Sequence, residues 1–181
     1  MKDLSASSSG LDIMTGLAPI ITPECRVLIL GSFPSSISLS IGEYYANPRN
    51  DFWKIMEEIF SIPHFLAYDD RVSALVSCRC GLWDVISRCR RVGSADNTIR
   101  DIQSSPIGDL LTRYPSVQTI VCNGRKAEAG ITAALSIPEG AEYEKIPWNR
   151  KIVYFPSTSP AHAIPFKQKL AEWKKIRDFV L

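Results

Sequence analysis

Val27-Leu-Ile-Leu-Gly-Ser-Phe-Pro-Ser-Ser36, followed by Tyr44-Tyr-Ala-Asn-Pro-Arg-Asn-Asp-Phe-Trp53, decides how the chain is read. The apolar run Val27 to Leu30, stopped by Gly31, has the pattern of a buried strand. It opens into a loop of small residues, Ser32 to Ser36. In open α/β sheets, ligands bind beyond the carboxyl ends of the strands, so this loop stands where a site is expected. The second segment packs aromatics (Tyr44, Tyr45, Phe52, Trp53), amides (Asn47, Asn50) and the cation Arg49 into one short stretch. Aromatic faces beside amide groups suit a flat heterocycle with a polar edge. The same residues also suit an ordinary strand-loop-helix with core aromatics, and spacing does not choose between the two.

The rest of the chain repeats the alternation. Arg26 to Leu30 is the first strand. Asn50 or Asp51 can cap a helix on which Phe52, Ile55, Met56, Ile59 and Phe60 share a face, and Pro63 ends it. A second helix is expected over Asp69 to Cys78. Gly81-Leu-Trp-Asp-Val-Ile86 reads as the second strand, with Asp84 inside it. Ser87 to Ser105, rich in arginine and holding Gly93-Ser94, reads as a long surface loop. A helix follows at Pro106 to Arg113, then a strand at Val117 to Cys122, and Asn123-Gly124 leads into a helix over Arg125 to Leu135. Pro138 to Arg150 connects to a last strand, Lys151 to Phe155. The final helix buries Phe166, Leu170, Trp173, Ile176 and Val180, with Lys167, Lys169, Lys174 and Lys175 on a solvated face. Residues 11–24 read as a short helix or an irregular lead-in. Strands alternating with helices imply a mostly parallel sheet between helical layers.

Bulk properties narrow the class. At 181 residues the chain is expected to form one domain, residues 11–181, behind a Ser-rich flexible tail, residues 1–10. A net charge of +2 neither requires nor excludes nucleic acid, because a local patch matters more than the sum. The five cysteines are odd in number and unevenly spaced, which argues against a disulfide framework. Cys78-Arg-Cys80 with Cys89 lacks a Cys-x-x-Cys pair and a nearby histidine, so no metal is expected. No run is long enough to span a membrane, and no signal-peptide core is present. A cytoplasmic protein with reduced thiols is expected.

Three strand ends carry chemistry. Ser32, Ser35 and Ser36 follow the first strand, Asp84 sits in the second, and Ser157, Thr158 and Ser159 follow the last. Small hydroxyls and bare N–H groups at strand ends hold phosphate, although they are turn formers as well. Pro156 and Pro160 stiffen the last loop, which favours phosphate contact. A carboxylate in an apolar strand is costly unless bonded. Asp84 therefore either accepts N–H groups of the following loop, or serves a ligand as acceptor for a ring N–H or as general base. Asn50 is no base, but its amide can hold a water or pair with a base edge while also capping a helix. The glycines fit neither a Walker loop nor a dinucleotide fingerprint, and no Gly-x-Ser-x-Gly elbow is present.

At these residues the chain resembles the uracil-DNA glycosylase superfamily, and within it the hypoxanthine-DNA (deoxyinosine) glycosylase branch. The pieces are Leu30-Gly-Ser-Phe-Pro-Ser35, Tyr44 to Trp53, Gly81 to Ile86 with Gly93-Ser94, Asn123-Gly124 and Phe155-Pro-Ser-Thr-Ser-Pro-Ala161, in order. The resemblance implies an αβα sandwich on a four-stranded, mainly parallel sheet. It implies hydrolysis of the N-glycosidic bond of a flipped deaminated base, most simply hypoxanthine, without cofactor or metal. The partner would be damaged DNA, the protein a monomer, nucleoid-associated in a prokaryote. Many relatives place a catalytic Asn or Asp where this chain has Phe33, and a His where it has Phe155. The branch uses an Asn after the double tyrosine, which points to Asn50 first and Asn47 second, with Asp84 as a further catalytic candidate. Phe33, Tyr45, Asp84 and Asn123 fall at base-binding positions, and Ser35, Ser36, Ser157, Thr158 and Ser159 at DNA-binding ones. Excision of uracil from mismatches, or a nucleic-acid-binding relative weakened in catalysis, are the alternatives.

Overall fold

The computed structural model describes residues 13–91, 98–135 and 150–181. Four short strands form a parallel sheet in the order β3-β2-β6-β7, with β2 at Val27–Gly31, β3 at Cys80–Asp84, β6 at Thr119–Asn123 and β7 at Lys151–Phe155. β2, β3 and β6 are buried along their whole length, which is why they read as unbroken apolar runs rather than alternating ones.

Alternation along β2 divides the core into two layers. Leu28 and Leu30 pack with Ile107, Leu110 and Leu111 of α4 (Ile107–Arg113) and Ala127 and Ile131 of α5 (Arg125–Ala134). Val27 and Ile29 face the opposite side. There they meet α2 (Phe52–Phe60), α3 (Tyr68–Ser77) and α6 (Phe166–Trp173) through Phe52, Ile55, Met56, Leu75 and Trp173. The result is the expected three-layer αβα sandwich. A short helix, α1 (Ser36–Ile41), follows the first strand-end loop.

The structure corrects several expectations. Residues 86–90 and 100–104 are not loop. They are strands β4 (Ile86–Arg90) and β5 (Arg100–Ser104), paired antiparallel with bulges. β1 (Ile13–Thr15) pairs antiparallel with β4, so the lead-in is partly strand and not helix. On β4 only Ile86 and Cys89 are buried, and β5 is exposed throughout. Backbone pairing makes these strands, and it leaves no hydrophobic signature. Ile20 exchanges two backbone hydrogen bonds with Leu82, each N–H donating to the other's carbonyl, and so covers the edge of β3. β3 ends at Asp84 rather than running through to Ile86, so the carboxylate sits at a strand end. The last helix is α-helical only to Trp173 and continues as a 3-10 helix over Lys174–Phe179. Lys169 is not solvated: it is 2% exposed. The expected tail at residues 1–10, the Gly93-Ser94 pair and most of the connection from Pro138 lie outside the described residues.

Candidate active site

The carboxyl ends of β2, β3, β6 and β7 border one cavity of about 460 Å³, within the range of small-molecule sites. Gly31, Phe33, Tyr45, Asn47, Asn50, Asp84, Asn123 and Ser157 all line it. Segments far apart in sequence therefore meet at a single slot, as the strand-end reading required.

At the floor, the last residue of β3, Asp84, pairs in register with Gly31, the last residue of β2. A Cβ on Gly31 would collide with Asp84 Oδ1 and come within 3.4 Å of Tyr45 Oη. The glycine makes room for a carboxylate that is 4% exposed. Val85 N–H donates to the Gly31 carbonyl at 2.9 Å and Ile86 N–H to the Ser32 carbonyl at 3.2 Å, which fixes the first loop against this corner.

The two adjacent tyrosines both border the cavity, their ring centroids 6.3 Å apart, but they are held differently. Tyr44 is buried, its hydroxyl donating to the Leu17 and Ala18 carbonyls and its N–H to Tyr68 Oη at 2.9 Å. Tyr45 adopts φ +56°, a left-handed conformation uncommon for a bulky side chain, and this turns it into the cavity wall. One face of its ring stacks on Phe52 at 3.9 Å between centroids, 17° from parallel. Burial, and then the charge of Asp84, push the Tyr45 phenol well above its ordinary range, so it stays protonated.

Asn123 holds the far wall. Its Nδ2 donates to Tyr45 Oη at 3.1 Å and to Thr158 Oγ1 at 2.9 Å, while its Oδ1 accepts from Thr158 N–H at 2.9 Å. Both amide hydrogens are thus engaged with protein, and one lone pair on Oδ1 remains. Thr158 is fully buried, whereas its neighbours Ser157 and Ser159 are partly exposed, and all three border the cavity. Gly124, at φ +96°, lets Ser157 approach: a Cβ there would stand 2.8 Å from Ser157 Cβ.

Asn50 immediately precedes Asp51, the N-cap of α2, and its Oδ1 accepts from Phe52 N–H at 3.0 Å. Asn47 Oδ1 accepts from Arg49 N–H at 3.0 Å, and Asn50 N–H donates to the Asn47 carbonyl at 2.8 Å. The two amides therefore sit on one rigid turn at the cavity mouth. Ser35 caps α1: its Oγ accepts from Ser38 N–H at 3.1 Å and donates to Ser38 Oγ at 3.0 Å. Ser36 is exposed.

Sequence reasoning missed several contributors. Ser38, buried, accepts from Ala46 N–H at 3.2 Å and so ties the first loop to the Tyr45 turn. Arg91, 2% exposed, lies over the Phe33 ring at 4.9 Å and donates to the Pro34 carbonyl at 2.6 Å. Arg125, Lys126 and His162 line the cavity, with Arg125 over Tyr154 at 3.9 Å. In the sequence these residues leave only two traces, the arginine-rich stretch that holds Arg91 and the adjacent cations Arg125-Lys126 beside Gly124. Among the described residues, no group of three or more His, Cys, Asp or Glu side chains is arranged to hold a metal ion, and no helix is long and apolar enough to cross a membrane.

Comparison with known proteins agrees with this geometry. The model of the uracil DNA glycosylase superfamily matches residues 18–179. The chain is 32% identical over 169 residues to the hypoxanthine DNA glycosylase of Methanosarcina acetivorans, covering 91% of this chain and 98% of that one. It is 33% identical over 113 residues to the hypoxanthine DNA glycosylase of Methanosarcina barkeri, covering 62% and 72%. A solution NMR structure of a candidate uracil DNA glycosylase from Methanosarcina acetivorans superposes with a TM-score of 0.77 at 28% identity, covering 93% of this chain and 99% of that one.

Proposed function

The chain belongs to the uracil DNA glycosylase superfamily, and from that premise we infer that it is a DNA glycosylase whose preferred base is hypoxanthine. The named relatives carry the choice of hypoxanthine over uracil, since uracil N3–H would serve the same acceptor; the observation that supports a base with a ring N–H is the Asp84 carboxylate, seated against Gly31 at the floor of a slot walled by Tyr45. A fixed carboxylate accepts a ring N–H. Hypoxanthine offers N1–H, whereas adenine presents a lone pair there and is repelled. Guanine also carries N1–H, but a well-paired base costs more to extrude than a mispaired one.

In this reading the base enters the slot and lies against Tyr45, whose ring is backed by Phe52. Stacking on an aromatic contributes roughly 1–3 kcal/mol toward the extrusion cost. Asp84 accepts from N1–H, and backbone N–H groups near Phe33 donate to O6. As the N-glycosidic bond lengthens, positive charge builds on the sugar and negative charge on the base. Asn50 holds the attacking water by its amide, with Asn47 on the same turn as second candidate. Water delivers hydroxide to C1′ and its proton ends on the departing base, leaving an abasic site and free hypoxanthine. An amide supplies position and not basicity, so orientation and fixed dipoles carry most of the acceleration.

Ser35, Ser36, Ser157 and Ser159 hold the phosphates flanking the extruded nucleotide, with Arg125 and Lys126 beside them. Thr158 and Asn123 support that loop from within. The enzyme works as a monomer in the cytoplasm, on the nucleoid in a prokaryote.

The test is alkali cleavage of labelled duplexes holding inosine, uracil or xanthine after incubation with the protein. Release should be fastest from inosine. Faster release from mismatched uracil would transfer the reading to that base, and binding without release from any duplex would leave a DNA-binding relative.

A further inference from the structure

We propose that a buried ion pair between Lys169 of α6 and Asp51 at the start of α2 is a latch that positions Asn50 for catalysis. The proposal rests on the glycosylase reading above, and it assigns a role to residues outside every strand-end motif. Lys169 Nζ donates to Asp51 Oδ2 at 2.8 Å and to the Ser159 carbonyl at 3.3 Å. The lysine side chain is 3% exposed and the aspartate 20%. A charge held that far from water persists only when paired, so the pair fixes the relative position of the two segments.

Its effect on the two sides is unequal. The loop after β7 has other anchors: Asn123 takes both Thr158 groups, and Trp173 Nε1 donates to the Pro156 carbonyl at 2.9 Å. Lys169 and Trp173 are one helical turn apart, so α6 supports this loop at two points. The Asn50–Asp51 turn is closed on itself by local bonds, but it has fewer ties to the rest of the fold. Asp51 N–H donates to the Thr158 carbonyl at 3.0 Å, and the Asp51 side chain makes no capping bond to α2. Its carboxylate is instead committed to Lys169. Loss of the latch should therefore loosen the turn that carries Asn50 while sparing the phosphate-contacting loop. Displacement of a water-positioning group by about 1 Å can cost on the order of 100-fold in rate.

Lys169→Met alone would bury an unpaired carboxylate, so the deciding variant is the double Asp51→Asn/Lys169→Met, which removes both charges and keeps the volume. It should melt cooperatively near the wild-type temperature. Its single-turnover rate on inosine duplex should fall at least tenfold, while its affinity for the same duplex changes less than threefold. Hydrogen exchange followed by mass spectrometry should show faster exchange over residues 47–53 and unchanged exchange over residues 155–161. A folded double variant with wild-type rate and exchange would overturn the latch. So would equal losses of rate and affinity, or faster exchange in the later segment. Hydrogen exchange decides the matter even if the wild-type protein releases no base, an outcome that would count against the glycosylase reading alone.

Discussion

Asp84 and Gly31 end adjacent parallel strands in register, and the carboxylate of the first fills the space a side chain on the second would need. The pocket floor is thus one residue made possible by the absence of another. Gly31→Ala should displace Asp84 and strain β2. We expect a loss of stability of about 1–3 kcal/mol, typical of overpacking, and inosine cleavage reduced far more than duplex binding. Thermal melts and single-turnover assays check both. An active Gly31→Ala protein would mean that the carboxylate does not read the base.

Asp84→Ala removes the acceptor while keeping the backbone pairing at the ends of β2 and β3. Sites built to hydrogen-bond a ring group discriminate through that bond, so hypoxanthine release should fall by on the order of 100-fold or more. Any residual cleavage should be less selective between inosine and adenosine in otherwise matched duplexes, as measured by alkali cleavage of both.

Asn50 accepts from Phe52 N–H at the start of α2 and, in the function proposed above, also holds the attacking water; a single variant separates the two by magnitude. Asn50→Ala removes the bond from Phe52 N–H at the start of α2, costing about 1 kcal/mol of stability. It should also abolish detectable base release while leaving duplex affinity intact. Full activity would shift the water-positioning role to Asn47.

Tyr45 can be dissected through its partner Asn123. Tyr45→Phe keeps the stack on Phe52 and loses only the 3.1 Å bond from Asn123 Nδ2, so stability should drop by about 1 kcal/mol with most activity retained. Tyr45→Ala removes the wall itself. Base release should then fall much more steeply, and rate measurements on the pair of variants test the order.

Alkaline pH should destabilise the fold through its buried acids. Burial pushes the Cys122 thiol from 9.0 up to about 12 and raises Cys80, Tyr44 and Tyr45 as well. Each folded-state value lies above the unfolded one, so the folded protein keeps protons that the unfolded chain has lost. The stabilising contribution is complete below pH 9 and disappears as pH rises toward 12 for Cys122, at up to about 1.4 kcal/mol per pH unit for each such group. Melting temperatures measured from pH 8 upward should fall progressively above about pH 9. A flat profile would contradict this.

The parallel sheet and its helical layers were legible because burial on both faces writes itself as apolar runs and helical spacing. The strand-end loops were legible because small hydroxyl residues flanked by prolines mark a turn after an apolar strand. The antiparallel β1-β4-β5 sheet was not, since its outer strand is exposed throughout and its pairing is made by backbone groups that every residue shares.

Within the site, Asp84 and Ser157 came into consideration from residue type and position near a strand end, Asn50 as an amide before a helix, and Tyr45 from the aromatic cluster and the family resemblance, because all of these are properties of local sequence. What each amide and charge is bonded to was decided only on folding. Asn123 is engaged with Thr158 and Tyr45, and Lys169, one of several lysines on an amphipathic helix, is the one buried against Asp51. Partners 118 residues apart leave no pattern in either segment, and their pairing depends on which turn of α6 the packing of Trp173 against Phe52 and Phe155 brings over the start of α2.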